Sequence, residues 1–337
     1  MARKIIYLIN PISGTTGKSS LRDLITRRTR EEKIDFDILP TNAEGKYDYL
    51  LPLIKAGQIT DIIVCGGDGT VNAVATALMG TDVRIGIIPM GSGNGLAFAA
   101  GIPRNPSKAL DLIFAGKASL IDGFMINDRF SCMLCGIGFD ARVAHAFARQ
   151  DKRGLQTYIR VSLSQFFSAR PHLFTIGLPR GGGRRDGDEK GEGMRAGEAG
   201  RAGDGGERDE GMRAGGGERT FPVEAFFISI ANANQFGNHV TIAPKASLDD
   251  GLLDIIIAKK TGKLALVLSV LRQVLGGNPI QAIPADAGKR NVLYFQTDRL
   301  IIGNEEEAPL HIDGDPAPTA SEFVIRVIRD AFTLIQP

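Results

Sequence analysis

The chain contains no tryptophan, three cysteines and four histidines in 337 residues. So few thiols exclude a disulfide framework. Cys65, Cys132 and Cys135 lie in or beside apolar runs, which predicts buried thiols in a reducing compartment. Cys132 and Cys135 have CxxC spacing, but no second ligand pair accompanies them and the histidines are scattered, so zinc is not expected. An excess of one charge is also lacking. The net charge of +2 offers no electrostatic footprint for nucleic acid. No apolar run approaches the ~20 residues of a membrane span. The opening MARKIIYLIN turns polar too soon for a signal peptide. These absences predict a cytoplasmic protein whose membrane contact is peripheral. The length suffices for two domains with cores of their own.

Glycine, by contrast, is abundant, with 42 residues unevenly spread. Residues 62–72 read IIVCGGDGTVN. Ile62 to Cys65 has the length and β-branching of a buried strand. It stops at Gly66-Gly67-Asp68-Gly69-Thr70, after which Val71, Val74, Ala75 and Leu78 fall on one helical face. Glycines let a backbone approach a ligand closely, and free N–H groups beside a helix N-terminus cradle phosphate. A plain turn with an N-capping Asp explains two glycines and Asp68. It does not explain a third glycine followed by Thr70 and Asn72. An Asp inside a phosphate site implies that a metal or a proton is managed there.

The first third alternates strand and helix. Strands are predicted at Lys4–Asn10, Asp35–Leu39, Asp61–Cys65 and Arg84–Pro89. Helices are predicted at Lys18–Lys33, Gly45–Ala56, Val71–Met79, Asn94–Ala100 and Pro106–Ala115. Such βα units imply a parallel sheet with helices on both faces, whose ligands sit beyond the carboxyl ends of the strands. Three Gly-rich loops lie at those ends: Asn10–Gly17, Gly66–Thr70 and Gly91–Gly95. From about Leu120 strand-like runs dominate, which predicts an antiparallel β domain. The division is 1–122 for the α/β domain and 123–319 for the β domain, with 320–337 returning to the first.

Residues 180–219 hold 15 of the 42 glycines, and Glu192-Gly-Met-Arg-Ala-Gly recurs from Glu210. With almost nothing to bury, this stretch reads as a disordered low-complexity insertion. Another stretch, Ile12 to Ser19, nearly spells a P-loop, but Ile12 stands where its first glycine must be.

The ordered set Asn10-Pro-Ile-Ser13-Gly14, Gly66–Thr70, Gly91-Ser92-Gly93-Asn94, Asp249-Asp250-Gly251-Leu252-Leu253-Asp254 and Asp313-Gly314-Asp315 resembles the diacylglycerol kinase catalytic family. That family includes bacterial soluble lipid kinases and sphingosine kinases. GGDGT alone is shared with NAD kinases. The Asn10 start, the run Ile230-Ala-Asn232-Ala-Asn-Gln-Phe236-Gly237 and the LDDGLLD segment tilt the resemblance toward lipid kinases. It covers most of the chain apart from the insertion.

The resemblance implies a Rossmann-like three-layer α/β domain followed by an antiparallel β-sandwich domain, with ATP held between them. By motif, the nucleotide contacts are Asn10, Ser13, Gly14, Thr41, Gly66, Gly67, Asp68, Gly69, Thr70, Asn72, Gly91, Ser92, Gly93, Asn94 and Arg153. For Lys152-Arg153-Gly154, a solvated helix start is an equal reading. Asp250, with the carbonyls of Ser247 and Leu252, would hold a structural Mg²⁺, although Asp-Gly is also a common turn. Asp68 and Asp122 would hold the catalytic Mg²⁺, and a structural role for Asp122 stays open. Asp315 would be the general base, an Asp where relatives carry Glu. Gly95 likewise stands where many relatives carry Asp. The implied reaction transfers the ATP γ-phosphate to a lipid hydroxyl, with diacylglycerol giving phosphatidic acid. A sphingoid base, another lipid alcohol, NAD, or a non-catalytic nucleotide-binding regulator are the alternatives. The lipid would be met at a membrane surface. Nucleic acid is not expected as a partner, and a homodimer stays open. Phe226, Phe227, Phe236 and residues 264–275 are candidate lining for the acyl chains.

Overall fold

The computed structural model describes residues 3–9, 18–42, 44–150, 155–179, 219–235, 243–274 and 290–337. Asn10, Ser13, Gly14, Arg153, Phe236 and all of the insertion but Arg219 lie outside the described residues.

In the first half, strands β1 (Lys4–Ile9), β2 (Asp35–Pro40), β3 (Asp61–Gly66) and β4 (Arg84–Pro89) pair in parallel in the order β2-β1-β3-β4. The helices are α1 (Lys18–Glu31), α2 (Leu51–Lys55), α3 (Asp68–Leu78), α4 (Gly95–Ala99) and α5 (Pro106–Ala115). Alternate strand residues serve opposite faces. Ile6, Leu8, Ile62 and Val64 share a core with Val71, Val74 and Leu78 of α3. Ile5, Tyr7, Ile63 and Cys65 share another with Leu21 and Ile25 of α1 and Leu110 and Ile113 of α5. Burial on both faces is why these strands read as unbroken apolar runs. Helix α5 begins where Asn105 accepts the N–H groups of Ser107 and Lys108 at 2.9 and 3.2 Å. It ends at left-handed Gly116.

The single helix expected at Gly45–Ala56 is a 3₁₀ turn at Asp48–Leu50 followed by α2. Pro52, which has no N–H to give, fits only the first turn of a helix. Helix α3 starts at Asp68 rather than Val71, because the Gly67 carbonyl accepts the N–H groups of both Thr70 and Val71 at 3.1 Å.

The second half holds β5 (Ala118–Ile126), β6 (Arg129–Ser131), β7 (Leu134–Gly138), β8 (His172–Leu178), β9 (Arg219–Ala231), β10 (Leu253–Lys259) and β11 (Val292–Thr297). It continues with β12 (Arg299–Gly303), β13 (Leu310–Ile312), β14 (Asp315–Ala317) and β15 (Glu322–Ile335). Helices α6 (Phe139–Ala148), α7 (Leu155–Ser168) and α8 (Lys263–Val274) interrupt them. The strands pair antiparallel around Phe124, Ile137, Phe174, Ile230, Ile255, Phe295 and Phe323, forming a β-sandwich. Phe226 and Phe227 are buried core residues, 4% and 7% exposed. All three cysteines are buried and free.

Two strands run through both halves. β15 pairs antiparallel with β12 and β5, then parallel with β4 at Thr333 and Leu334. Its pairing with β5 breaks at a bulge between Ile328 and Phe332, where Asp330 takes φ 51°. Asp122 of β5 lies opposite that bulge. Its neighbour Gly123 leaves room for the Phe130 ring, which a β-carbon there would approach to 2.4 Å. Among the described residues, no helix is long and apolar enough to cross a membrane.

Candidate active site

Two glycine loops meet backbone to backbone at the carboxyl ends of β3 and β4. A β-carbon at Gly91 would lie 2.5 Å from the Gly67 Cα, so neither loop tolerates a side chain at the contact. The Met90 N–H donates to the Gly66 carbonyl at 2.9 Å. Asn94 closes the second loop on itself. Its Oδ1 accepts the Gly91 N–H at 2.8 Å and its Nδ2 donates to the Gly91 carbonyl at 2.7 Å. This clamp holds Asn94 in the left-handed region at φ 54°, which Asn tolerates better than most residues.

Asp68 sits where the loops join. The Leu96 N–H donates to its Oδ1 at 3.3 Å, and the N–H groups of Gly95 and Asn94 also face it. Burial raises its pKa nonetheless. Its Oδ2 would lie 2.9 Å from a β-carbon at Gly93. The conformational freedom of these glycines therefore matters less than the space they leave.

The sandwich half contributes the hairpin β13–β14, two three-residue strands that the sequence pattern did not suggest. β13 pairs with β7 at Leu310↔Ile137 and Ile312↔Cys135. This pairing carries the turn Asp313-Gly314 onto the first half's loops. A β-carbon at Gly69 would lie 3.0 Å from Asp315 Oδ2, so the exposed Asp315 reaches the GGDGT loop from the other half.

Asp313 is the site residue missing from the expected set. Its Oδ1 accepts the Ser131 hydroxyl at 2.6 Å and the Leu134 N–H at 3.1 Å. Its Oδ2 is buried and has no hydrogen-bond partner among the described residues. Burial pushes its pKa up to about 7, the hydrogen bonds pull down, and the nearby Asp68 charge adds to the rise. Behind it, His311 Nδ1 accepts the Gly314 N–H at 3.3 Å, which leaves the ring proton on Nε2, 3.6 Å from Asp140 Oδ2. Gly136 is the floor of this pair, for a β-carbon there would fall 1.9 Å from Asp140 Oδ2.

Asp122 is placed differently from the expectation that it pairs with Asp68. Its Oδ2 accepts the Gly251 N–H at 2.7 Å and its Oδ1 the Asp330 N–H at 2.9 Å. Asp122 lies inside β5, and its side chain ties the β15 bulge to the Asp250 turn. There Asp250 Oδ1 accepts the Leu252 N–H at 3.0 Å, and burial, with the charges of Asp122 and Asp249, raises its pKa. Ser247, through its hydroxyl, donates to Asp249 at 2.6 Å. Asn232, fully buried, donates to the carbonyls of Asp122 and Cys132 at 2.9 and 3.2 Å and joins the two aspartate clusters.

Of the remaining expected residues, Thr41 donates its N–H to the Ile9 carbonyl at 3.1 Å, at the end of β1. Thr70 packs on Gly66, and Ser92 is exposed on the second loop. Asn72 donates to the Phe130 carbonyl at 3.1 Å, so its amide ties α3 to β6. Among the described residues, no three His, Cys, Asp or Glu gather into a metal-binding group. Any ion here must be completed by carbonyls or by ligand phosphates.

Residues 4–126 match the family model described as diacylglycerol kinase catalytic domain. Residues 209–335 match the YegS C-terminal NAD kinase beta sandwich-like domain. A Salmonella typhimurium protein named "Probable lipid kinase YegS" is 28% identical over 94% of this chain and 92% of its own length. The uncharacterized protein sll0036 of Synechocystis is 27% identical over 91% of this chain, which spans 64% of that protein. A crystal structure of a diacylglycerol kinase from Bacillus anthracis superposes with a TM-score of 0.67 at 19% identity. It covers 99% of this chain and 97% of its own, and shares the fold.

Proposed function

Because the chain belongs to the diacylglycerol kinase catalytic-domain family, we propose that it is an ATP- and Mg²⁺-dependent lipid kinase with a diacylglycerol-like acceptor. The observation that carries this reading is the approach of Asp315 to the GGDGT loop, 3.0 Å from a β-carbon at Gly69. One half of the molecule supplies a phosphate cradle, and the other delivers a carboxylate to it.

Phosphoryl transfer asks little covalent chemistry of a protein. It asks for held phosphates, charge stabilisation and a positioned acceptor. Gly66, Gly67, Gly69, Thr70, Gly91, Ser92, Gly93 and Asn94 offer the cradle, with Thr41, Asn10, Ser13, Gly14 and Arg153 as further nucleotide contacts. Asp315 takes the proton of the acceptor hydroxyl. Being one methylene shorter than Glu, it requires that hydroxyl closer to the β13–β14 hairpin. The donor set fits a divalent cation at Asp68 and Asp313. The buried, unpartnered Oδ2 of Asp313 and the mutual repulsion of the two carboxylates favour a positive charge between them. When bound, Mg²⁺ would offset charge on the transferring phosphoryl group. Asp250, with the carbonyls of Ser247 and Leu252, fits a second, structural ion, since a cation would relieve the crowding of Asp122, Asp249 and Asp250.

The reading is tested by offering γ-labelled ATP and Mg²⁺ with diacylglycerol, a sphingoid base or NAD, each in mixed micelles or buffer. Labelled phosphatidic acid is the expected product. Labelled sphingoid phosphate or NADP would move the acceptor assignment, and no labelled product despite ATP binding would contradict a kinase.

A further inference from the structure

Helix α8 carries an apolar stripe that faces outward. Leu264, Val267, Leu268 and Leu271 are 75%, 46%, 59% and 52% exposed. Their spacing of i, i+3, i+4 and i+7 puts them on one side. The other side is anchored. Leu266 is 3% exposed in the core, and the Ser269 hydroxyl accepts from Asn291 at 3.3 Å. The helix is therefore held with its leucines toward solvent.

A second helix extends the stripe. Lys263 Nζ of α8 sits 5.8 Å from the ring centre of Phe166 on α7. One turn earlier, Leu163 is 58% exposed. The chain balances 38 acidic against 40 basic residues. Yet α7 and α8 contain no Asp or Glu, and their charges are Arg160, Lys263 and Arg272. The face is thus apolar at its centre and positive at its ends.

We infer that α8, with the adjoining turn of α7, docks on an anionic lipid bilayer, lying in the interface plane with Leu264, Leu268 and Leu271 inserted. At twelve residues α8 is about 18 Å long, too short to span but suited to lie along the headgroups. The charge pattern selects the occupant. A bilayer with anionic headgroups takes up the leucines and is attracted by the net positive charge of the two helices, whereas a second copy of the same positive face would repel it. The basic face of α1 is a weaker candidate, because its apolar residues Leu21 and Ile25 are buried in the core and leave no leucine stripe to insert. Location also favours α7 and α8. α7 packs on α6, whose Asp140 faces His311 of the hairpin bearing Asp313 and Asp315. The inference rests on the lipid-kinase reading for what the surface is for, but its binding step stands alone.

The test is co-sedimentation of the full chain with vesicles of phosphatidylglycerol and phosphatidylcholine, and of phosphatidylcholine alone. Wild type is compared with Leu264→Glu/Leu268→Glu/Leu271→Glu and with Leu268→Ser, whose exposed sites should leave the circular dichroism spectrum unchanged. Binding to the anionic vesicles should fall at least about tenfold in the triple variant and less in Leu268→Ser. Unchanged vesicle binding in the triple variant would overturn the inference while leaving the kinase reading intact. Equal wild-type binding to both vesicle types would overturn the anionic preference. A wild-type dimer that the triple variant dissociates would show that a second copy covers the face. Anionic vesicle binding lost in the triple variant, with no lipid phosphorylated by wild type, would uphold the docking face and overturn the kinase.

Discussion

Asp122, inside β5 opposite the β15 bulge, and Asp313, in the turn between β13 and β14, use their oxygens in opposite ways. Asp122 gives both to backbone N–H groups, of Gly251 and Asp330. Asp313 gives one to Ser131 and Leu134 and keeps the other buried without a partner among the described residues. The first arrangement joins strands. The second leaves one oxygen unpaired, and burial with the Asp68 charge lifts the pKa to about 7. Cross-linking and keeping an oxygen free are separate tasks, and in this fold separate aspartates perform them.

Asp313→Asn should break the second arrangement most sharply. The amide is nearly isosteric and removes the repulsion, so turnover should fall about 10²-fold or more while Tm holds or rises. Loss of Tm with retained turnover would assign Asp313 to structure. Asp122→Ala should do the reverse. Two backbone N–H groups lose their acceptor, which costs about 2–4 kcal/mol and lowers Tm by roughly 5–10 °C, with kcat of the folded protein within about threefold. Gly91→Ala forces a methyl group onto the Gly67 Cα. The loops must separate, and KM for ATP should rise about tenfold with a smaller change in kcat. An unchanged KM would remove this loop contact from the nucleotide site.

A third aspartate sharpens the comparison by pH. Asp254 is fully buried, and burial lifts its pKa to about 6 against the hydrogen bonds from Tyr294 at 2.5 Å and Gln296 at 3.1 Å. The folded state therefore binds this proton more tightly than the unfolded chain does. Its stabilising contribution is complete below about pH 4 and is lost as pH rises through about 6. Relative to Asp254→Asn, wild type should lose a few degrees of Tm across that window in metal-free buffer. A constant difference between the two melting curves would contradict the assignment.

What was legible in the sequence was what local pattern controls. The runs of β1, β3 and β4 are apolar on both faces, and the GGDGT loop joins a strand to a helix within twelve residues, so spacing alone exposes it. β13 and β14 were not legible. Each is three residues long, and each exists because distant β7 pairs with the hairpin. Asp313 stood in a motif, but its own role was hidden for the same reason, since its burial comes from Ser131 and Leu134, about 180 positions away. Of the two roles left open for Asp122, its bonds to the Gly251 and Asp330 N–H groups favour the structural one, which depends on residues more than 120 positions away. The exposed leucines of α8 were equally hidden, because helical period alone does not say which face meets the core.

The central claim is that the β13–β14 hairpin completes, across the two halves, the site begun by the GGDGT loop. The most direct measurement is transfer of labelled phosphate from ATP to diacylglycerol by wild type and Asp315→Asn, with ATP affinity measured on both proteins. The account predicts a loss of turnover of about 10²–10⁴-fold with ATP affinity unchanged. Wild-type turnover by Asp315→Asn would contradict it.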